Sequence, residues 1–252
     1  MITIQNFNTR FFIADVTPLL NEETYIIAYK NVSPKRQEKA AKYKFKKDKA
    51  LCIGAGLLLD YALLNVGIKK KNLNISYGEN GKPYLTDYTD VFFNISHSGN
   101  FAVCAVSQKE IGCDIEKTDE INLKTAERYF QKSEYDAIMS ENDETANRDM
   151  FFRFWTLKES FIKLIGKGLA LPLDAFQIKL DGENISLNIP DADISKFNTP
   201  IENIFFKEFN CVSNYKCSVC SCENISHLKP EIVDILKAFP CKGRGTTAVV
   251  DE

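Results

Sequence analysis

The chain changes twice from helical spacing to strand-like alternation, and this double change restricts its fold more than any other feature of the sequence. Apolar side chains between residues 51 and 63 recur at helical spacing, and short alternating runs such as FAVCAVS and IGCDIE follow. A second helical pattern over residues 148–165 is again followed by strand-like runs, from AFQIKL to YKCSVCSC. We therefore expect an α+β fold of two similar, pseudo-twofold-related lobes with a cleft between them. Residues 1–118 and 119–240 are the expected lobes, and 241–252 are expected to form a loose tail.

Capping residues place several helix boundaries. Ser33 followed by Pro34 predicts the start of a basic helix that runs to residue 47. Asp48 is the predicted N-cap of the next helix, and Gly166 the predicted end of the helix over 148–165.

Composition excludes several classes of protein. The 252 residues carry 32 Lys and Arg against 34 Asp and Glu, for a formal net charge of -2. This near-neutral balance gives no global attraction for nucleic acid or for a membrane surface. The sequence shows neither a secretory signal nor an apolar run of membrane-spanning length. We therefore predict a cytoplasmic protein whose eight cysteines are reduced.

An acidic pair ends one of the predicted strands. Asp114 and Glu116 lie two residues apart, so their carboxylates share one face of the strand. Two hard oxygen ligands on one face can bind Mg²⁺. For an isolated pair the commoner explanation is a solvent-exposed strand end, and the pair alone does not decide between the two.

The segment FWTLKESFIK adds a third carboxylate. Trp155, Glu159 and Lys163 are spaced four apart and share a helix face. An acid and a base at this spacing usually form only a weak surface pair. If Glu159 instead reached the strand carboxylates, the three would complete the protein's part of a Mg²⁺ site, and Lys163 would neutralise a phosphate.

Other segments carry groups suited to an anion. Ser96, His97 and Gly99 of NISHSGN could form a tight turn that offers a hydroxyl, an imidazole and backbone N–H groups. The basic helix suits either a phosphate-rich ligand or plain solvation. Zinc binding by Cys217, Cys220 and Cys222 is disfavoured, because strand alternation places the first on the face opposite the other two.

Four segments in this order, GKPYL, FNISHSGNFAVCAV, IGCDIEK and FWTLKESFIKLIGKGL, closely resemble the 4'-phosphopantetheinyl transferases of the monomeric type that activates nonribosomal peptide synthetases. The resemblance runs from the basic helix to the strand at Tyr215. It implies a two-lobed fold with coenzyme A in the cleft. It also implies transfer of 4'-phosphopantetheine from coenzyme A to a serine of acyl or peptidyl carrier proteins, with release of 3',5'-adenosine bisphosphate. Mg²⁺ is the implied metal ion, and Mn²⁺ is an alternative with the same octahedral oxygen ligands.

The resemblance also implies roles for individual residues. Asp114, Glu116 and Glu159 would bind the metal ion, Glu159 would take the proton of the carrier serine directly or through water, and Lys163 would contact the pyrophosphate. Asp114, Glu159 and Lys163 are thus the expected catalytic residues. Coenzyme A would contact Lys163 together with Ser96 and His97 at phosphate, Lys82 and Pro83 on the adenine side, and Arg36 and Lys39 at the terminal phosphates.

Leu51 and Cys52 stand where the family often has an arginine and a small hydroxyl residue that contact the 3'-phosphate. Lys47 or Lys49 is a possible substitute. Residues 121–130 are the predicted surface for the carrier, with Tyr129 and Phe130 either as anchors or as core residues. The competing hypothesis is a non-catalytic module of the same fold that binds coenzyme A or a carrier protein.

Overall fold

After an initial strand, the first half of the chain forms helices and then strands, and the second half repeats this order of helices followed by strands, as the sequence predicts. The structure is a computed structural model that describes residues 4–69, 73–120, 124–141, 143–190, 197 and 203–238. The helices are α1 Glu22–Lys30, α2 Pro34–Ala41, α3 Lys46–Leu64, α4 Lys124–Tyr129, α5 Lys132–Met139 and α6 Glu144–Ile165. The strands are β1 Arg10–Asp15, β2 Ile75–Tyr77, β3 Pro83–Leu85, β4 Phe92–Ser98, β5 Phe101–Ser107, β6 Ile111–Lys117, β7 Gln177–Asp181, β8 Asn184–Asn188, β9 Phe205–Phe209, β10 Tyr215–Ser221 and β11 Pro230–Ile232.

The basic segment forms two helices rather than one. Ser33 caps α2 as predicted, since its Oγ accepts a bond from the backbone of Arg36 at 3.3 Å. The helix ends at Ala41, and α3 begins at Lys46 with Phe45 at the N-cap. The predicted N-cap Asp48 is therefore wrong: it lies in the first turn of α3, where a carboxylate still complements the positive end of the helix dipole. Lysines closely spaced between the two helices repel one another and disfavour a continuous helix.

The long helix α6 starts four residues before its predicted beginning. Asp143 is its N-cap and accepts a bond from the backbone of Ala146 at 2.8 Å. It ends at Gly166 as predicted, where the backbone takes a φ of 74°, a left-handed conformation that glycine adopts without steric cost.

Within the described residues, two larger sheets pack face to face between two long helices. One sheet has the order β11-β1-β5-β4, with β11 parallel to β1 and the other pairs antiparallel; the second has the order β6-β10-β9. Side chains from one face of each sheet, including Phe11, Val103, Ile115 and Val219, form the core between them. The opposite faces are covered by α3 and α6 respectively.

Strand pairing joins residues from both sides of the predicted division at residue 118. β6 lies before this position and pairs with β10, while β11 lies far beyond it and pairs with β1. The lobe boundary stays a prediction, and the hydrogen bonds show that the two proposed lobes share strands. In the part of the chain that is described, no helix combines the length and apolar character needed to cross a bilayer.

Candidate active site

The predicted acidic pair lies where β6 packs against α6. Alternation along β6 points Cys113 and Ile115, both 0% exposed, into the core between the sheets and turns Asp114 and Glu116 towards α6. Gly112 permits this close packing, because a Cβ there would overlap the Ser160 carbonyl oxygen and would lie 2.5 Å from the backbone nitrogen of Leu164. The strand and the helix therefore meet with little space between their backbones.

Asp114 is the central group of the site. It is 1% exposed, and its Oδ1 accepts bonds from Ser96 Oγ at 2.7 Å and from Lys163 Nζ at 2.5 Å. Lys163 Nζ also donates to Ser96 Oγ at 2.8 Å. Burial opposes the charge on Lys163, but the Asp114 carboxylate outweighs that effect and raises the lysine's pKa. The structure thus brings together three predicted residues from three different elements.

The other two carboxylates belong to the same electrostatic neighbourhood. Glu116 accepts a bond from Ser98 Oγ at 2.7 Å, and burial, followed by the charge of Asp114, raises its pKa to about 7. Glu159 is half-buried, and burial and Asp114 again raise its pKa while Lys163 opposes the rise. Both pKa values are raised because the carboxylates lie close to one another and are partly shielded from water.

The carboxylate oxygens of Asp114, Glu116 and Glu159 suit a hard cation, but the three groups do not surround a common point. Across the described residues, no group of three or more His, Cys, Asp or Glu side chains is close enough to hold a metal ion. Asp114 Oδ2 is nevertheless buried with no hydrogen-bond partner among the described atoms, and the Asp114 charge helps to raise the pKa of both Glu116 and Glu159. A divalent cation such as Mg²⁺ or Mn²⁺ fits this chemistry, and its binding would require the carboxylates to converge.

The sequence suggested a tight turn at Ser96 and His97, but both residues lie on strand β4. The turn follows at Gly99, which has a φ of 58°. Neighbours on a strand point to opposite faces, so Ser96 reaches Asp114 while His97 points to the other side of β4. Loss of surrounding water, followed by the positive charges of Lys163, Lys39 and Arg36, lowers the pKa of His97. The basic residues predicted on α2 are therefore close enough to act on this imidazole.

A cleft of about 210 Å³ lies between the β2–β3 turn and the end of α6. Its lining includes Lys82, Pro83, Ile162, Lys163 and Gly166. The predicted adenine-side residues and the predicted phosphate-binding lysine thus face one cavity. The Lys82 ammonium itself is bound to protein groups, Glu110 Oε2 and the Leu164 carbonyl oxygen, each at 2.6 Å.

Leu51 and Cys52 are core residues. They are 7% and 2% exposed and belong to the cluster between α3 and the four-stranded sheet. Neither side chain can serve as an anion ligand from there. Lys47 is exposed and Lys49 half-buried, so the proposed substitution of one of them at the 3'-phosphate stays a prediction.

Sequence reasoning missed a buried ion pair that fixes α6. Lys158 and Glu134 are 0% and 1% exposed, and their charged groups are 2.9 Å apart. Lys158 also donates to the carbonyl oxygens of Leu173 at 2.8 Å and Phe176 at 2.7 Å. Glu134 accepts the backbone N–H of Ile178 at 2.7 Å. Burial lowers the pKa of Lys158 and raises that of Glu134, so each depends on the other for its charge.

The signal for this pair was present in the helical spacing. Phe151, Phe154, Lys158 and Phe161 follow a three-four-three spacing along one face of α6. A lysine in an otherwise apolar stripe is expected to be buried with a partner, because an unpaired buried charge is costly. The position of Glu134 on α5 could not be deduced from that spacing.

The remaining expectations concern the carrier surface, the tail and three cysteines. Phe130 is 5% exposed and stacks on Phe151 at 5.4 Å, so it is a core residue and its role as a surface anchor is wrong. Tyr129 is 44% exposed, and residues 121–123 of the predicted carrier surface, like the predicted tail 241–252, lie outside the described residues. Cys217, Cys220 and Cys222 are free thiols in the described structure.

Comparison with known families gives two adjoining matches. A family model described as the 4'-phosphopantetheinyl transferase superfamily matches residues 110–220. A second, described as 4'-phosphopantetheinyl transferase, N-terminal, matches residues 19–109. The two matches adjoin between residues 109 and 110, immediately before β6, so the superfamily match over residues 110–220 begins with the strand that carries the acidic pair.

Curated relatives are similar over most of the chain. The 4'-phosphopantetheinyl transferase Sfp of Bacillus subtilis (strain 168) is 37% identical over 75% of this chain and 82% of its own length. The 4'-phosphopantetheinyl transferase gsp of Aneurinibacillus migulanus is 34% identical over 83% and 86%. The L-aminoadipate-semialdehyde dehydrogenase-phosphopantetheinyl transferase of Mus musculus is 31% identical over 68% and 60%.

Proposed function

This chain belongs to the 4'-phosphopantetheinyl transferase superfamily and is an enzyme of that class, and from this premise we propose which residues carry out the transfer. The enzyme moves the 4'-phosphopantetheine group of coenzyme A to a carrier protein. The proposed acceptor is a serine hydroxyl of an acyl or peptidyl carrier domain, and the proposed leaving group is 3',5'-adenosine bisphosphate. The proposed setting is the cytoplasm, with the enzyme as a monomer that binds neither nucleic acid nor membranes.

One observation carries the residue assignments. Lys163 of α6 contacts Asp114 of β6 at 2.5 Å, beside Glu116 and Glu159 and at the edge of the cleft lined by Lys82 and Pro83. A cation and three carboxylates at a cleft suit a pyrophosphate substrate and its counterion. In the competing hypothesis of a binding module, the same charges would bind coenzyme A without turnover.

In the proposed reaction the serine oxygen forms a bond to the phosphorus that carries pantetheine. The bond from that phosphorus to the oxygen of the adenosine bisphosphate breaks, and the serine proton passes to a base. Lys163 would hold the pyrophosphate, with Ser96 and His97 beside it and Arg36 and Lys39 towards the terminal phosphates. Fixed cations of this kind stabilise the charge that grows on the phosphoryl oxygens and on the leaving group.

Asp114, Glu116 and Glu159 would hold a Mg²⁺ or Mn²⁺ ion. When bound, such an ion supplies positive charge to the oxygens of the reacting phosphoryl group. Glu159 is the proposed proton acceptor, directly or through water. Burial and the charge of Asp114 raise its pKa in the metal-free protein, and a bound cation would oppose that rise.

The test is the loading of purified apo-carrier domains with coenzyme A and Mg²⁺, followed by intact mass. We expect a mass increase equal to one phosphopantetheine group, and its loss when EDTA removes the metal. Glu159→Gln and Lys163→Met should each lower the loading rate by about 100-fold or more. Glu144→Gln is the matched control, since Glu144 is an exposed carboxylate in the first turn of the same helix. Binding of coenzyme A without any mass increase would instead support the binding module.

A further inference from the structure

Lys82 occupies a point where three separate segments meet. It lies in the turn between β2 and β3, and its side chain is 19% exposed. Its Nζ donates to Glu110 Oε2 at 2.6 Å and to the carbonyl oxygen of Leu164 at 2.6 Å. Its methylenes also pack against Gly166, where an added Cβ would lie 2.9 Å from Lys82 Cδ.

Both partners of the ammonium adjoin the candidate active site. Leu164 lies in the last turn of α6 and directly follows Lys163. Glu110 directly precedes β6, the strand that carries Asp114. A single ammonium group therefore connects the beginning of one site element to the end of the other.

The contact with Leu164 satisfies a general need of helix ends. The last carbonyl groups of a helix have no partner within the helix, and they form the negative end of its dipole. The N–H of Gly166 donates to the Ile162 carbonyl, and the chain then turns away from α6, so the Leu164 carbonyl takes its partner from elsewhere in the fold. Lys82 supplies both a donor and a positive charge at this end.

We propose that Lys82 is a positioning residue, whose ammonium fixes the end of α6 relative to the start of β6 and thereby holds Lys163 against Asp114. This inference rests on the proposed transfer reaction, and it differs from the expectation that Lys82 contributes mainly by contact with coenzyme A. The Glu110 carboxylate neutralises the ammonium at 2.6 Å, which weakens its attraction for a phosphate. Pro83 and the Lys82 methylenes would still form part of the cleft wall.

Kinetics of three variants separate positioning from direct binding. Lys82→Met keeps the aliphatic stem and removes the ammonium, and we expect kcat to fall by about 10-fold with KM for coenzyme A changed by no more than about 2-fold. Lys82→Arg, which retains a donor and a charge, should recover most of kcat. Glu110→Gln should also lower kcat, but by less than Lys82→Met does, because the bond from the Lys82 ammonium to the Leu164 carbonyl remains. Lys109→Met is the matched control, an exposed lysine in the same turn as Glu110 that should leave both constants unchanged.

A direct phosphate contact predicts the opposite pattern. KM for coenzyme A would rise in Lys82→Met with kcat unchanged, and Glu110→Gln would lower KM by freeing the ammonium. Either result overturns the proposal.

Hydrogen exchange distinguishes failure of this inference from failure of the proposed function. We expect the amides of residues 163–166 to exchange faster in Lys82→Met, and to a smaller degree in Glu110→Gln, than in the wild type. If exchange is faster in Lys82→Met but the wild-type protein loads no carrier, the contact is confirmed and the proposed function fails. The positioning role, which depends on that function, is then overturned. Unchanged exchange in both variants would overturn the proposal whatever the activity. If Lys82→Met does not fold, Glu110→Gln provides the same test.

Discussion

At the scale of single residues, the site is defined by negative charge that the fold brings out of water. Asp114 is almost fully buried and has Lys163 as its cation, whereas Glu116 has a serine hydroxyl as its hydrogen-bond partner. A hydroxyl stabilises a carboxylate less than a cation does. Burial, followed by the charge of Asp114, raises the pKa of Glu116 to about 7, so the protonation of this carboxylate changes near neutral pH.

The raised pKa of Glu116 makes the metal-free protein sensitive to pH. Between the ordinary glutamate value of 4.5 and about 7, the folded state retains a proton that the unfolded state has lost. The stabilisation from that proton is complete below the unfolded pKa and disappears as the pH rises through the folded pKa. We therefore expect Tm in EDTA to fall between about pH 5 and about pH 8, and to fall less in Glu116→Gln. Identical pH profiles of Tm for the two proteins would contradict this prediction.

At the scale of elements, the packing of β6 on α6 sets the distances within the site. The helix brings Glu159 and Lys163 to the strand, and the buried pair of Lys158 and Glu134 restrains the rotation of that helix. Gly112 allows the two backbones to approach. A shift of either element would move the carboxylates and Lys163 apart, even with every site residue intact.

Gly112→Ala tests this dependence. The added methyl group would overlap the backbone of α6 at Ser160, so the strand and the helix must separate. We expect a loss of about 1 to 3 kcal/mol in the free energy of unfolding, measured by urea denaturation, together with a fall in kcat for carrier loading. Gly78→Ala is the control, because the nearest atom to an added Cβ there, the Lys82 carbonyl oxygen, is 3.7 Å away. Equal stability and activity in Gly112→Ala and the wild type would show that the interface can adapt.

At the scale of the whole molecule, the two halves are joined through shared strands. β1 of the first half pairs with β11 near the end of the described chain, and β6 pairs with β10 across the predicted boundary. The core between the sheets draws side chains from both halves. Such an arrangement is expected to unfold as one cooperative unit rather than as two independent lobes.

Calorimetry with the substrate tests this cooperativity. Coenzyme A with Mg²⁺ at about 100 times its dissociation constant should stabilise the folded state by about 2.7 kcal/mol and shift a single transition to higher temperature. Adenosine, which has no phosphates, is the control ligand and should give a much smaller shift. Two transitions, with one of them insensitive to coenzyme A, would show that the lobes unfold separately.

The sequence by itself determined the α+β class, the helix limits at Ser33 and Gly166, and the side of β6 on which Asp114 and Glu116 lie. These features depend on local periodicity and on capping, which act over a few residues and can be deduced from spacing. The same local reasoning misplaced Asp48 at an N-cap, because a carboxylate is favoured throughout the first turn of a helix.

Only the tertiary structure decided which distant residues meet. The contact of Lys163 with Asp114, the burial of Lys158 against Glu134 and the position of Lys82 between Glu110 and Leu164 all join segments far apart in the chain. Whether a lysine is a surface charge, a buried partner or a helix cap depends on the groups that packing places around it. That environment is set by the whole fold, because the energy of a charge is governed by its burial and its neighbours and not by its place in the sequence.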